Sequence, residues 1–406
     1  MSDNTPLKRS LSLPQMVLYG LGTTVGAGIY ALVGELAGIS GYLAPIAFLF
    51  AAFLAGLTAF SFAELSCRYP RAAGAALYTQ NGFHSHRLTV TIGLLVVVAG
   101  LVSSAALISA FSGYLNQITP LDTSTSIILL CAFLTAVASY GITESIILAS
   151  LITVVEVGGL VWIIYISHGA LTELPGLVDL MIPELNSTSF NLVFAGALLA
   201  FYAFIGFEDM VDVAEEVKDV QRTLPLAILL TLGITTLLYM SIMVIALLSI
   251  PPQELAKSDA PLATLFSFHT GQSPHVISLI GMFAIINGAL IQIIMASRVL
   301  YGLSCRHQLP ALLSYVQPQT KTPIVATFLV GLNVTILALI GNLSSLAELT
   351  SFIMLIVFSV VNLALWRIKK LEPKVENCLC FPRWMALMAF LVSSGFVILE
   401  ISKALF

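Results

Sequence analysis

Residues 22–29 read Gly22-Thr23-Thr24-Val25-Gly26-Ala27-Gly28-Ile29, in the middle of an otherwise apolar stretch. Three glycines in seven positions, beside two β-branched threonines, make a poor helix interior. Each glycine costs about 1 kcal/mol against alanine. In hydrocarbon an interrupted helix also leaves amides and carbonyls unpaired, which is tolerated only where they line a polar cavity or are buried in protein. N–H groups at the start of a half-helix attract a carboxylate, and unwound carbonyls attract an ammonium or a cation. A zwitterion satisfies both. The same glycines also fit a second reading, because Gly22 and Gly26 form a small-xxx-small face for close helix packing.

A second run with chemical potential is Phe201-Tyr202-Ala203-Phe204-Ile205-Gly206-Phe207-Glu208-Asp209, where a glycine interrupts an apolar helix and acids follow. The acids continue as Asp212, Glu215, Glu216 and Asp219. Part of this run is expected to pair with Arg298, Arg68 or Arg71 as a gate, and a solvated helix end is the alternative. Glu156 stands alone within another apolar stretch. A carboxylate at the centre of a membrane helix costs roughly 2.5–3.5 kcal/mol on insertion scales. Three roles fit it: a proton carrier, a direct cation ligand with the unwound carbonyls, or a protonated lock between two helices.

Other chemistries find no support. His168, His269 and His275 fall at the ends of apolar stretches or between them, and no paired acids complete a catalytic set. No phosphate-cradling loop, metal-ligand cluster or basic aromatic-rich face is present, so neither a cofactor, a metal nor a nucleic-acid partner is expected. Five cysteines show no framework, and Cys378-Leu379-Cys380, lacking a histidine, reads as a plain thiol pair.

The elements that must position these residues are membrane helices. The chain has 406 residues, 58% hydrophobic and 9% charged, with mean hydropathy +0.99, whereas soluble domains carry about 25% charged residues. The class is an all-α polytopic membrane protein in a lipid bilayer. Windows long enough to cross hydrocarbon fall near 15–38, 42–66, 88–116, 124–143, 145–168, 190–212, 225–250, 275–302, 323–341, 344–366 and 383–405, about eleven spans. With the N-terminus cytoplasmic, the outside keeps only Lys257 and Lys403 of the 17 Lys and Arg residues. That asymmetry obeys the positive-inside rule and sets the C-terminus outside. No cleavable signal peptide is visible. The longest interruptions, 169–189 and 251–274, are too short to fold alone.

Spans one and six are both interrupted, and spans five apart run in opposite directions. Inverted-topology repeats predict this arrangement, with a site at the midplane between the broken helices. The repeats are expected at about 11–168 and 190–367, with an extra helix at 383–405, in one transporter domain.

The residues also resemble a family, the amino acid–polyamine–organocation (APC) superfamily, closest to its amino acid and cationic amino acid transporter branch. Residues 22–29 are similar to its first-helix G-[ST]-x-x-G-x-G-[IV]. Arg68-Tyr69-Pro70-Arg71-Ala72-Ala73-Gly74 through Tyr78 is similar to its loop after span two. Residues 201–208 resemble FFAYxGF[DE], and Glu215-Glu216 through Arg222 and Pro225 to Ile228 resemble EExxNPxRxxPxAI. Ala296-Ser297-Arg298, Leu309-Pro310 and Thr322-Pro323 match the run after span eight.

The resemblance implies a five-plus-five inverted-repeat (LeuT-type) core, alternating access, and an L-amino acid bound between spans one and six. Thr24, Gly26, Ala27 and Gly28 would offer backbone to the carboxylate. Carbonyls near Thr23 and from Tyr202 through Ala203 to Phe204 would take the ammonium, with Tyr202 as an aromatic lid. The chain departs from the family at Asp219-Val220, which replace Asn-Pro. In span five Gly141-Ile142-Thr143-Glu144-Ser145 aligns with G-x-x-E-S, but Glu156 stands where many members carry a lysine, and Ala99 stands where some carry a glutamate in span three. Span eight lacks a hydroxyl pair, Asn287 being its main polar group, so sodium is disfavoured and a proton is the expected coupling ion. The expectation is a secondary active transporter in the cell (inner) membrane, not an enzyme. The alternatives are an amino acid exchanger, a polyamine or cationic substrate carrier, or an amino acid sensor without turnover.

Overall fold

The computed structural model describes residues 11–25, 28–71, 74–119, 121–140, 146–305, 308–375 and 378–405. Gly26 and Ala27, Ala72 and Ala73, and the run 141–145 lie outside the described residues.

Helices α1 (Leu13–Val25) and α2 (Gly28–Ser40) make the first crossing, and α3 (Ala44–Arg68) the second. A short helix α4 (Gly74–Phe83) leads into α5 (His86–Asn116), α6 (Thr123–Tyr140) and α7 (Ile146–Ser167). The single-turn α8 (Leu174–Leu177) lies in the connection to α9 (Ser187–Tyr202), which is followed by the 3-10 stretch Phe207–Glu216 and α10 (Val220–Ser249). Short helices α11 (Pro252–Leu255) and α12 (Pro261–Thr270) precede α13 (His275–Cys305), α14 (Ile324–Ile340), α15 (Leu343–Leu371) and α16 (Arg383–Leu405). Among the described residues nine stretches are long and apolar enough to cross a membrane. The first, Leu13–Arg68, holds two passes, and Ile324–Ile340 is a further apolar helix just below that length. These crossings correspond to the windows read from hydropathy.

Local chemistry sets many of the boundaries. The Asn186 and Asn342 side chains accept from the Ser189 and Ser345 amides at 2.7 and 2.9 Å, capping α9 and α15. Gly271, with φ +64°, closes α12 in the left-handed conformation that glycine adopts without strain. Apolar surface then sorts the helices. Phe133 on α6, Phe328 on α14 and Leu391 on α16 are exposed, a pattern suited to acyl chains rather than water. Inside, the Phe62 ring of α3 meets those of Tyr78, Phe207 and Phe358 at centroid distances of 5.8, 5.8 and 5.4 Å. This cluster fixes the 3-10 stretch after α9 against α3, α4 and α15.

One buried charge centre pins an end of the bundle. The Glu64 carboxylate of α3 accepts from Arg68 Nη2 at 2.7 Å, from Lys369 Nζ of α15 at 2.5 and 2.7 Å, and from the Phe381 amide at 3.0 Å. Beside it Cys67 is paired with Cys378, with Cα atoms 5.7 Å apart. Cys378 is therefore not one of two plain thiols, because the turn before α16 presents it to the end of α3.

Removing one cation from so dry a cluster leaves a carboxylate undercompensated, at about 3–5 kcal/mol. Lys369→Met is therefore expected to lower the thermal midpoint of the detergent-solubilised protein by several degrees. Fluorescence-detected size exclusion after heating would measure that loss, and the double variant Glu64→Gln/Lys369→Met should not recover it, because the buried Arg68 guanidinium is then left without its carboxylate.

Candidate functional site

The two glycine-bearing stretches meet. Helix α1 ends at Val25 and α2 begins at Gly28, while α9 ends at Tyr202 and turns over 203–206 before the 3-10 stretch. Gly206 has φ +125°, which L side chains rarely adopt, and a Cβ there would strike the Thr23 carbonyl. A Cβ on Gly28 would lie 2.7 Å from the Ala203 Cα. Both glycines are needed because backbone passes directly against backbone. Gly22 has a different task, lying against the Thr153 hydroxyl of α7. Its role is packing, one of the two readings its spacing allows.

Among the described residues, three side chains meet backbone groups of the two stretches. The Thr23 hydroxyl is shared between the carbonyls of Gly20 and Gly206, each at 3.0 Å. The Tyr239 hydroxyl, reaching in from α10, is shared between the Thr24 carbonyl at 2.9 Å and the Ala203 carbonyl at 3.0 Å. The Gly206 amide donates to Glu208 Oε2 at 2.9 Å. Behind α2, Tyr114 donates to the Tyr30 carbonyl at 2.6 Å, and Tyr30 donates to the Glu156 carbonyl at 2.7 Å. These bonds tie α2 to α5 and α7.

A cavity of about 740 Å³ enters from the end of the bundle marked by Gly74, Glu216 and Leu303. Its inner limit includes Ser103, Ile205, Asp209, Ile291 and Gln292, which also line a smaller pocket of about 30 Å³. That pocket has space for roughly one water and is bounded by Thr23, Thr24, Gly28 and Tyr202. The opposite end is closed. Gly34 lies against the Leu255 and Ser258 carbonyls, with an added Cβ only 2.8 and 3.3 Å from them. The Ser40 hydroxyl donates to the Leu192 carbonyl at 2.9 Å.

Thr23, Thr24, Gly28 and Tyr202 thus share one pocket, and the Tyr202 hydroxyl is held 3.1 Å from Ser103 Oγ. Ala203 sits behind Gly28 with its carbonyl turned to Tyr239. Phe204 lines neither cavity, its ring packing 5.3 and 6.3 Å from those of Tyr239 and Phe48. Glu156 is buried on α7 and lines neither cavity. Its face of α7 abuts the first break, since Thr153 meets Gly22 and Gly159 meets the Tyr30 hydroxyl. Glu208, Asp209, Asp212 and Glu216 line the larger cavity. The expected pairing of this run with Arg68 does not form, because Glu64 takes that guanidinium from the same helix. Among the described residues Arg298 makes no ion pair with Glu208, Asp209 or Asp212, although it lines the same cavity.

Tyr239, Ser103 and Gln292 escaped the reading of motifs. The available signal for Tyr239 was that a phenol inside an apolar span needs a hydrogen-bond partner. Its partners became visible only once α10 lay across both breaks.

The profile of the amino acid permease family matches residues 11–403. The chain belongs to that family. This permease is 30% identical over 390 residues to "Cationic amino acid transporter 3, mitochondrial" of Arabidopsis thaliana, covering 91% of this chain and 64% of the relative. It is 31% identical over 397 residues to "Cationic amino acid transporter 2, vacuolar" of the same plant, with coverages of 92% and 61%. The branched-chain amino acid permease BcaP of Bacillus subtilis is 26% identical over 408 residues, with coverages of 94% and 85%. The chain therefore spans less than two thirds of the length of the plant relatives. Family and relatives are permeases and transporters rather than enzymes, and the permease is an integral multi-pass membrane protein of the APC superfamily.

Two substitutions test the junction. Gly206→Ala is expected to lower thermal stability and ligand binding together, whereas Gly233→Ala, with open space at its Cβ, should change neither. Tyr239→Phe keeps the ring and leaves the Thr24 and Ala203 carbonyls without their donor, at about 1–3 kcal/mol. Thermal unfolding of the purified permease should register that loss.

Proposed function

We propose that this permease is a secondary active transporter that moves an L-amino acid across the cell (inner) membrane by alternating access. The observation that carries the reading is the pocket where both broken helices touch, reached from one end of the bundle and sealed from the other. A carrier must expose one site to two sides in turn, and a site with a single open approach is one half of such a cycle. The segments 11–168 and 190–367 act as inverted repeats, with 383–405 outside them, and the N-terminus lies in the cytoplasm as the Lys and Arg distribution favours. Residues 11 and 216–218, hydrogen-bonded at 3.0 and 2.9 Å, then mark the cytoplasmic end, and the cavity faces inward.

In this scheme Thr23, Thr24, Gly26, Ala27, Gly28 and Tyr202 to Phe204 form the substrate site. Backbone groups of Thr24, Gly26, Ala27 and Gly28 take the carboxylate, carbonyls near Thr23 and from Tyr202 to Phe204 take the ammonium, and Tyr202 is the aromatic lid. Glu156 carries a proton on the α7 face beside the first break. Ionised and neutral forms of a buried carboxylate interact differently with the groups around them, so proton exchange biases the two access states.

Uptake of labelled leucine, valine, lysine and arginine into proteoliposomes, with and without a pH gradient, tests the reading. Net accumulation driven by an inward proton gradient is expected. Uptake that needs amino acid inside the vesicle would mark an exchanger, and binding without uptake a sensor. Gly26→Leu should abolish binding while the protein still inserts. Glu156→Gln should retain exchange and lose proton-driven accumulation. Wild-type accumulation and pH dependence in that variant would leave Glu156 as a lock between helices.

A further inference from the structure

Asp209 is the first acid of the run that reaches the small pocket as well as the large cavity. It is 8% exposed, and its Oδ2 is buried with no hydrogen-bond partner among the described residues. Thr24 is 3% exposed, lines the same pocket, and its hydroxyl oxygen is likewise without a partner. The neighbouring groups are differently placed. Glu208 holds the Gly206 amide, and the Thr24 and Ala203 carbonyls already receive the Tyr239 hydroxyl. The Thr24 and Ala203 carbonyls are thus occupied, while two residues that line the pocket carry a buried carboxylate oxygen and a buried hydroxyl with no partner among the described residues. A buried carboxylate without a donor is costly, and the group that relieves it best is a cation with several N–H donors.

The approach to this point has matching electrostatics. Glu208, Asp209, Asp212 and Glu216 line the large cavity, against Arg298 as its one lining Lys or Arg among the described residues. A low-dielectric cleft with such an excess of one charge concentrates ions of the other.

We infer that Asp209, together with the Thr24 hydroxyl, is a recognition site for a primary ammonium group of the transported molecule. The inference rests on the transport reading and adds to it a side-chain countercharge beside the backbone carbonyls. The ammonium has two possible sources, the α-ammonium of any amino acid or the terminal ammonium of a basic side chain. Both present the same chemistry to the carboxylate, and binding preference separates them.

The test is binding of L-leucine, L-lysine and Nε-acetyl-L-lysine to the purified full-length permease by calorimetry, for wild type, Asp209→Asn and Thr24→Val. If Asp209 takes the α-ammonium, Asp209→Asn weakens every ligand that the wild type binds, on the order of 10- to 100-fold. If it takes a side-chain ammonium, wild type prefers lysine over its acetylated form, and Asp209→Asn removes that preference while leaving leucine unaffected. Either pattern supports the inference. Thr24→Val, close to isosteric, should reproduce the same pattern at smaller amplitude, and it decides the matter if Asp209→Asn does not fold. Affinities of all three ligands preserved to within about twofold in both folded variants would overturn the ammonium site and leave the transport reading standing. A wild type that binds none of a full amino acid panel would overturn both.

Discussion

A helix cannot be interrupted inside hydrocarbon unless the backbone groups it releases find partners. In this protein the two glycine-bearing stretches share their partners. The Thr23 hydroxyl crosses from the first break to the Gly206 carbonyl of the second. Tyr239 stands over both, its hydroxyl between the Thr24 and Ala203 carbonyls. Close approach is a precondition for this exchange, which is why Gly28 and Gly206 have no room for a side chain. These contacts hold the two stretches together where they line the pocket.

Buried charges in the same molecule meet contrasting fates. Glu64 is saturated by two cations and a backbone amide, so it fastens α3 to α15 and to the turn before α16. Glu208, Asp209, Asp212 and Glu216 make no ion pair among the described residues and line a cavity instead. The distinction follows from geometry. Arg68 lies one helical turn from Glu64 on the same face and cannot serve the acidic run as well. An ion pair that locks one part of the bundle thereby leaves another part electrostatically open. In the proposed cycle this division separates the scaffold from the surface that meets substrate.

The closed end carries its own constraint. Contacts between α2 and the α11–α12 region include the close approach of Gly34 to the carbonyls of Leu255 and Ser258. The aromatic cluster of Phe48, Phe204 and Tyr239 packs the turn after α9 against α3 and α10.

Much of this architecture was legible in the chain. Apolar runs of membrane length define the helices because hydrocarbon permits few alternatives. Glycines beside threonines mark the first break, and Gly206 followed by acids marks the second, because helix propensity and hydration act locally. What local chemistry could not decide was partnership. Gly22 serves packing on α7 while Gly28 admits Ala203, although both stand in the same motif. Phe204 turned into an aromatic cluster although it adjoins Tyr202, which lines the pocket. Arg68 was drawn to Glu64 rather than to the acidic run. Cys378 met Cys67 across 311 residues of sequence, and Tyr239 found carbonyls on two other helices. Those outcomes depend on rotation and depth of one helix against another, which are set by packing over the whole bundle. Spacing along a single span carries the face a residue shares, but only the assembled helices determine what that face meets.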